Sequence, residues 1–471
     1  MLRPDQDDYA EEAGLQELIE QFEGYYLTRE YSYFDEEALE RIYEYYEARM
    51  EEGKMEAVAD LAIEQNPYSA DFLTRKAELL FNRKAFQKAL SLLDKAVVFD
   101  ATHIDIYLLK SDILLELNQA EEATATLMHA LQLADKEEKD IVLAELSDIA
   151  ELGEDFMAAF RYLEQALSIN PGNETVLMKF AHIVEMTDQF DESLTIHQQI
   201  TDAHPYNWMA WYNMGKAYAG TGNYHKALEA FEFTMAIQED FDLVYRDAAD
   251  IYFRLEEYDK AIETFQVAQE KSGGFEDHSF RIGLCYEKKQ DLKKARFHYR
   301  KSTRHDPYLD EAFFRIGESY RQENRLEPAL VNYKKALRID NDNEFYIACI
   351  ISVYRMMGRE EEVGQYLQQL VNSRPDILNY WLDLIVYLLE QQEPQRAFEA
   401  VENAMLRCGN FVEFTYLQSL ICWQLGKHQA ARHLLGKALE EDYSRHIILN
   451  ETDPSFLSIK ENADLLDLYR K

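Results

Sequence analysis

Tyr212, Arg246, Phe280 and Phe314 follow one another at a single fixed interval, and Arg281 with Arg315, and Arg321 with Arg355, keep the same interval. Phe345 completes a set of nine in which guanidinium groups are interleaved with aromatic rings. Arginine presents a planar fork of donors that matches a carboxylate, and phenylalanine presents apolar area. Standing together, such side chains suit an extended acidic peptide with apolar anchors. Exposed ion pairs contribute only ~0–1 kcal/mol each, so affinity rests on several contacts and on the aromatics. In the competing arrangement Glu311, Glu318 and Asp277 neutralise the arginines in internal pairs.

Bond-making chemistry has no comparable constellation. The chain contains no His-Glu-x-x-His, P-loop, Gly-x-Gly-x-x-Gly or Gly-x-Ser-x-Gly motif. Ser272-Gly273-Gly274 reads as a turn and not as a phosphate cradle. His298 and His305 are seven residues apart with no third ligand in reach. Among 88 Asp and Glu residues, acid pairs arise by chance and none marks a general acid. Cys285, Cys349, Cys408 and Cys422 form no CxxC pair and read as buried structural thiols. The sequence therefore predicts a non-enzymatic chain with no catalytic residue, cofactor or metal, folding independently of metal.

The elements that would position the nine residues are helices. In "WYNMGKAYAGTGNYHKALEAF" (211–231), Trp211, Met214, Gly215 and Tyr218 stripe one helix face at i, i+3, i+4, i+7. Ala227 and Phe231 stripe a second helix, and Thr221-Gly222-Asn223 is the turn between them. The small residues at 215 and 227 imply close approach of the two helices. A shift by the interval of the nine brings the pattern back as Tyr245, Ala249, Tyr252, Ala261, Phe265, and the next as Ile282, Gly283, Tyr286, Ala295, Tyr299. A further shift gives Ile316, Gly317, Tyr320, Ala329 and Tyr333. Proline at 67, 171, 205, 307 and 375 would stop second helices. One such hairpin cannot offset its own ordering entropy, so neighbours must stack into a continuous core.

This period, about 34 residues, and these residue types resemble the tetratricopeptide repeat (TPR). On that frame repeats begin at 36, 70, 104, 140, 174, 208, 242, 276, 310, 344, 378 and 412, with Glu138 and Lys139 outside the count. Twelve repeats cover residues 36–445, between an acidic capping helix with an aromatic turn (1–35) and a C-terminal cap (446–471). Tyr25, Tyr26, Tyr31, Tyr33 and Phe34 would cover one end; Phe456, Leu457, Ile459, Leu465, Leu466 and Leu468 would cover the other. Both flanks resemble those of soluble bacterial TPR arrays. The resemblance implies an all-α, right-handed superhelical solenoid whose first helices line a concave groove through positions 2, 5, 9, 12 and 13. It places the nine residues in that groove, with positions 5 and 6 of repeats 7–9 stacked as a ladder. The Lys and Asn of the family's carboxylate clamp are missing from every repeat; Asn213 is an isolated match. Irregular spacing is expected at Glu138-Lys139 and in repeat 10, where Ile351, Val363 and Leu370 replace small residues.

Charge bounds the partners. A formal charge of −39 is a poor match for phosphate backbones, so nucleic acid is excluded. The N-terminus lacks the basic start and apolar core of a signal peptide. The stretches "FYIACIISVY" and "YWLDLIVYLL" are too short to span a membrane. The expected location is the cytoplasm. Residues 1–65 hold 20 Asp/Glu and 5 Lys/Arg, whereas residues 276–340 hold 11 and 15. The groove positions of repeats 1–4 are accordingly acidic (Glu37, Glu40, Glu44, Glu47, Asp71, Glu78, Asp105, Asp112, Glu145, Asp148, Glu151). Those of repeats 6–10 add Lys216, Phe253, Arg254 and Lys288 to the nine. The resulting expectation is a protein-interaction scaffold or adaptor that holds partner peptides or helices in its groove. The alternative is a regulator or assembly chaperone of one enzyme or secretion component.

Overall fold

The computed structural model describes residues 6–28, 32–273 and 277–470. Tyr31, Gly274 and the expected repeat start at 276 lie outside the described residues. Among the described residues the regular structure is 28 α-helices and one 3-10 turn, without strands. The chain divides into two units, 1–244 and 245–471.

In the first unit, α1 (Gln6–Thr28) precedes six helix pairs. These are α2 (Glu36–Glu47) with α3 (Glu52–Gln65), α4 (Ala70–Asn82) with α5 (Phe86–Phe99), and α6 (Ile104–Glu116) with α7 (Ala120–Leu133). They continue as α8 (Lys139–Leu152) with α9 (Phe156–Ile169), α10 (Glu174–Thr187) with α11 (Phe190–Ala203), and α12 (Trp208–Gly220) with α13 (Tyr224–Ile237). Phe22 of α1 is fully buried on Tyr46 and Phe34, and the Phe34 N–H donates to Gln65 Oε1 at 3.2 Å. Tyr25 and Tyr26 pack against the same core, whereas Tyr33 is exposed.

In the second unit, α14 (Asp242–Arg254), which starts just before the division, pairs with α15 (Tyr258–Lys271), and α16 (Ser279–Lys288) with α17 (Leu292–His305). Then come α18 (Asp310–Gln322) with α19 (Leu326–Ile339), α20 (Glu344–Met356) with α21 (Glu360–Ser373), α22 (Leu378–Glu390) with α23 (Pro394–Cys408), and α24 (Val412–Gln424) with α25 (His428–Glu441). The short α26 (Ile447–Thr452), α27 (Pro454–Leu457) and α28 (Lys460–Tyr469) close the unit. Phe456 is buried there, Leu457, Ile459, Leu465 and Leu466 are partly so, and Leu468 is exposed.

One backbone device recurs between paired helices. Met50, Lys84, Asn118, Glu154, Asp188, Gly222, Glu256, Gln290, Asn324, Gly358, Gln392 and Gly426 all have φ between 55° and 75°. They are evenly spaced along the chain, except that the step from Asn118 to Glu154 is longer by two. At every one but Asp188, the left-handed N–H bonds three residues back and the next N–H five residues back, as Lys84 to Phe81 O and Ala85 to Leu80 O. This pair of bonds satisfies the last carbonyls of the first helix and reverses the chain. The left-handed region costs a side-chain-bearing residue ~1–2 kcal/mol, which glycine avoids. Exposed Lys84, Glu154 and Gln290 therefore offer a gain: each change to Gly is expected to add roughly 0.5–1 kcal/mol of stability. Thermal unfolding of the triple variant checks this, and an unchanged or lower midpoint would contradict it.

Seam packing follows the same period. Ala89, Ala123, Ala159, Ala227, Ala261, Ala295, Ala329, Ala397 and Ala431 are all fully buried. Between Asn118 and Glu154 the two additional residues are absorbed locally. The connection 134–138 is one residue longer than its four-residue counterparts, and α8 starts a residue early. The Asp135 carboxylate accepts from the N–H groups of Glu137 and Glu138, and Glu138 returns a bond to the Asp135 N–H at 3.1 Å, closing the turn. With Ile351, Val363 and Leu370 buried between them, α20 and α21 are less closely apposed than α18 and α19. The contact of α10 with α11 is looser than that of α20 with α21, and there Asp188 lacks the paired cap.

Candidate functional site

The first helices of neighbouring pairs are tied by ion pairs. Lys179 reaches Asp148 at 2.6 Å, Lys216 reaches Glu185 at 2.5 Å, Arg281 approaches Asp250 at 3.8 Å, and Arg315 reaches Glu287 at 3.1 Å. Arg315 also meets Glu311 at 3.2 Å, and Arg321 forms a two-pronged contact with Glu318 at 3.0 and 2.7 Å. Arg246 pairs with the adjacent Asp247 at 3.0 Å. Exposed pairs of this kind stabilise little, but they occupy the guanidinium forks. The ladder at Arg246, Arg281 and Arg315 is thus internally neutralised by Asp247, Asp250, Glu287 and Glu311, while among the described residues Glu318 takes Arg321 and Asp277 takes none of them.

The aromatics are also redistributed. Tyr212 and Phe314 are core residues, 7% and 9% exposed. The Tyr212 ring meets Phe241 edge-on at 4.9 Å, and Phe314 stacks on Tyr346 at 5.3 Å, because each leans onto the segment that follows its own hairpin. Phe280 is half-buried against Tyr299 at 5.5 Å. Asn213 is buried and donates to Leu177 O at 2.7 Å, which gives it a structural role.

Phe345 and Arg355 behave differently. Phe345 is 60% exposed and touches Phe314 edge-on at 5.2 Å; Met356 is 53% exposed. Arg355 is exposed and makes no ion pair among the described residues. Both line a cavity of about 600 Å³ between α20, α21 and α22. Ala348, Ile351, Leu367 and Leu370 are its apolar lining, and Tyr380 and Asp383 come from α22. The Tyr380 hydroxyl donates to Glu344, which also holds Arg374 at 3.2 Å. Burial raises the Asp383 carboxyl from its ordinary value, and the nearby Arg355 charge opposes that rise. The cavity opens where repeat 10 carries large seam residues, so the irregularity read from Ile351 and Leu370 is itself part of the site. Tyr380 and Asp383 were missed because they belong to the repeat starting at 378, beyond the five repeats that supply the nine residues.

Among the described residues no group of three or more His, Cys, Asp or Glu stands in a metal-holding arrangement, and no helix is long and apolar enough to cross a membrane.

Tetratricopeptide-repeat family models match residues 212–275, and again 104–137, 279–308 and 310–343. Anaphase-promoting complex subunit 7 of Dictyostelium discoideum is 22% identical over 228 residues, which are 48% of this chain and 38% of that protein. The chain thus spans well under half the length of this curated relative. Among solved structures, YrrB, described as a TPR protein with an unusual peptide-binding site, is 26% identical over 40% of this chain and 95% of its own, with a TM-score of 0.29. MamA is 22% identical over 34% and 94%, with a TM-score of 0.32. The Cut9–Hcn1 hetero-tetramer of the APC/C is 13% identical over 92% and 95%, with a TM-score of 0.33. The chain therefore carries tetratricopeptide repeats in four matched segments, and the same helix hairpin recurs beyond them.

Proposed function

We propose that this protein-interaction scaffold is non-enzymatic and holds an acidic segment with an apolar anchor in the cavity between α20, α21 and α22. In this reading residues 36–445 act as twelve repeats, capped by 1–35 and 446–471, a division supported by the regular recurrence of the left-handed turn residue. The carrying observation is the cavity itself, where an exposed Phe345 and an Arg355 without an ion pair among the described residues flank an apolar lining. Its volume of about 600 Å³ falls within the usual range for ligand sites. An aromatic or aliphatic side chain would rest on Ala348, Ile351 and Leu370 while a neighbouring carboxylate meets the Arg355 fork. The four unbridged cysteines fit a reducing compartment such as the cytoplasm.

Phe345→Ala with Arg355→Ala is expected to weaken partner retention from lysate about tenfold or more, with thermal stability nearly unchanged because both side chains are exposed. Asp383→Asn is expected to strengthen retention by removing a like charge. Phe280→Ala with Arg315→Ala is the comparison pair, since those side chains are engaged internally. Undiminished retention by the Phe345/Arg355 variant would move the site off this cavity. One stoichiometric partner whose activity changes would mark a regulator or assembly chaperone; several partners would mark an adaptor.

A further inference from the structure

In a chain of formal charge −39, the second helices α17 and α19 are basic. α17 holds six Lys and Arg and no Asp or Glu, and α19 holds three against Glu327 alone. Phe297, Lys301 and Arg304 stand at i, i+4 and i+7 on α17, and Val331, Lys335 and Arg338 repeat them at the equivalent positions of α19. All six side chains are exposed, Phe297 by 63% and Val331 by 54%. The stripe is confined to these two hairpins. Its counterparts are Glu263, Val267 and Glu270 on α15, and the uncharged Gln365, Gln369 and Asn372 on α21.

These cations differ from the first-helix arginines in what they meet. Arg246, Arg281, Arg315 and Arg321 are all taken by carboxylates. On the second helices only Lys294 and Arg296 are, by Asp291 at 3.4 Å and Glu323 at 2.8 Å, among the described residues. Arg300 and Lys334 each donate to a tyrosine hydroxyl, those of Tyr320 and Tyr354. Lys301 meets the Gln269 side-chain oxygen at 3.3 Å, and Lys335 lies over the Phe313 ring at 5.4 Å. Arg304 and Arg338 make no ion pair among the described residues. A merely solvated basic face would have no use for Phe297 and Val331, since apolar area left in water is unfavourable. Their presence beside four cations that no carboxylate of the chain neutralises gives the surface both apolar anchors and fixed charge.

The spacing selects the shape of the ligand. Over seven residues a helix rises ~10.5 Å, so the i, i+4, i+7 stripe of a second helix laid alongside matches Phe297, Lys301 and Arg304 turn by turn. An extended chain would meet Phe297 and Lys301 with side chains two residues apart. Its next residue, about 10 Å along, points to the other face and misses Arg304. The charge selects acid. A phosphate backbone or an anionic membrane is an extended negative surface that the rest of the chain repels. One acidic helix lies within about 8 Å of the stripe, where screening leaves the local attraction in force. We propose that the exposed faces of α17 and α19 dock an acidic amphipathic helix of a partner protein, its apolar residues on Phe297 and Val331 and its carboxylates on Lys301, Arg304, Lys335 and Arg338. This surface lies on second helices and does not rest on the α20–α22 cavity.

The test is fluorescence anisotropy on the full chain with two labelled Ala-based peptides of about twenty residues, long enough to hold a helix. One carries Leu and Glu along a single stripe at i, i+4, i+7; the other has the same composition with these residues spread around the helix. The striped peptide is expected to bind about tenfold tighter, since each well-placed exposed pair contributes up to about fivefold. Lys301→Gln/Arg304→Gln/Lys335→Gln/Arg338→Gln should remove that preference with an unchanged thermal midpoint, because all four side chains are exposed. Phe297→Ser alone should weaken the striped peptide about threefold or more. Phe345→Ala with Arg355→Ala should leave it unchanged, which keeps this result separable from the α20–α22 reading. Equal binding of both peptides, or full binding of the striped peptide by the quadruple variant, overturns the site. Binding to phosphatidylserine vesicles that the quadruple variant loses, without peptide preference, would overturn the helix assignment in favour of a membrane surface. Self-association lost in the same variant would overturn it in favour of a second copy of the chain.

Discussion

Gly317→Val is expected to destabilise the α18–α19 hairpin by about 3 kcal/mol, toward the severe end for an overpacked core. A Cβ at Gly317 would lie 2.6 Å from two ring carbons of Tyr333 and 3.2 Å from the Ala329 carbonyl oxygen. Neither neighbour has room to yield. The Tyr333 ring is fully buried, its hydroxyl donates to Glu318, and its face meets Phe314 at 5.7 Å. The Ala329 oxygen belongs to the backbone of α19. Alanine would regain about 1 kcal/mol of helix propensity against the clash; valine adds bulk and recovers less. Gly215 and Gly283 repeat the geometry, with Phe231 and Tyr299 rings 2.4 and 2.5 Å from the added atom. Gly436 of α25 is the control, since a Cβ there meets nothing within 4 Å. Gly436→Ala is expected to stabilise by up to about 1 kcal/mol. Cooperativity is limited in long repeat arrays, so hydrogen exchange in α18 and α19 is the suitable readout. Unchanged protection there in Gly317→Val would show that the two helices are free to separate.

That contact explains why the hairpins were legible in the sequence. Gly215, Gly283 and Gly317 each face a ring sixteen residues later, so a small residue and an aromatic recur as a fixed pair. A helical period alone would have predicted helices without saying which touch. The turns were harder to read. Gly222 and Asn324 announce a left-handed residue, whereas Lys84, Glu154 and Glu256 adopt the same conformation with no glycine signal. In those hairpins the paired cap bonds and the packed helices impose the backbone on an unfavourable residue.

The site was legible in residue type but not in engagement. Arg315 and Glu287 belong to different hairpins yet lie 3.1 Å apart in space, a pairing visible only once first helices are laid side by side. Position 5 was assigned to the groove, yet Tyr212 and Phe314 there are covered by Phe241 and Tyr346. Large rings at that position bridge to the following segment, while Ala348 at the same position leaves the space that becomes the α20–α22 cavity. Phe345 and Arg355 stand exposed at the edge of that cavity.

Acidification is expected to weaken the first unit through His197, and His197→Leu is expected to remove that component. His197 of α11 is wholly buried against Phe180, with ring centroids 5.6 Å apart. Its Nδ1 lies 2.8 Å from the Ser193 carbonyl oxygen, which can only accept, so Nδ1 carries the proton of a neutral ring. Nε2 has no partner among the described residues, and a second proton there would place an unsolvated charge in the core. Burial accordingly pushes the imidazole down to about 4, against the smaller opposing effect of the Ser193 bond. Above the unfolded value of about 6.5, both states are neutral and the histidine contributes nothing to the pH slope. Between that value and about 4, the unfolded chain binds a proton that the folded chain refuses, so stability falls as pH falls. Below about 4 both forms are protonated and the loss is complete. The full difference is roughly 3 kcal/mol. Leucine suits the position, since Leu93, Leu127 and Leu163 occupy it in three earlier hairpins and are fully buried. Carboxylates titrate in wild type and variant alike, so the stability difference between the two isolates His197. That difference should widen in favour of His197→Leu by roughly 2–3 kcal/mol between pH 7 and pH 4.5, read by urea unfolding or by exchange in α10 and α11. A constant difference across that range would mean that the folded imidazole takes up its proton as readily as the unfolded one.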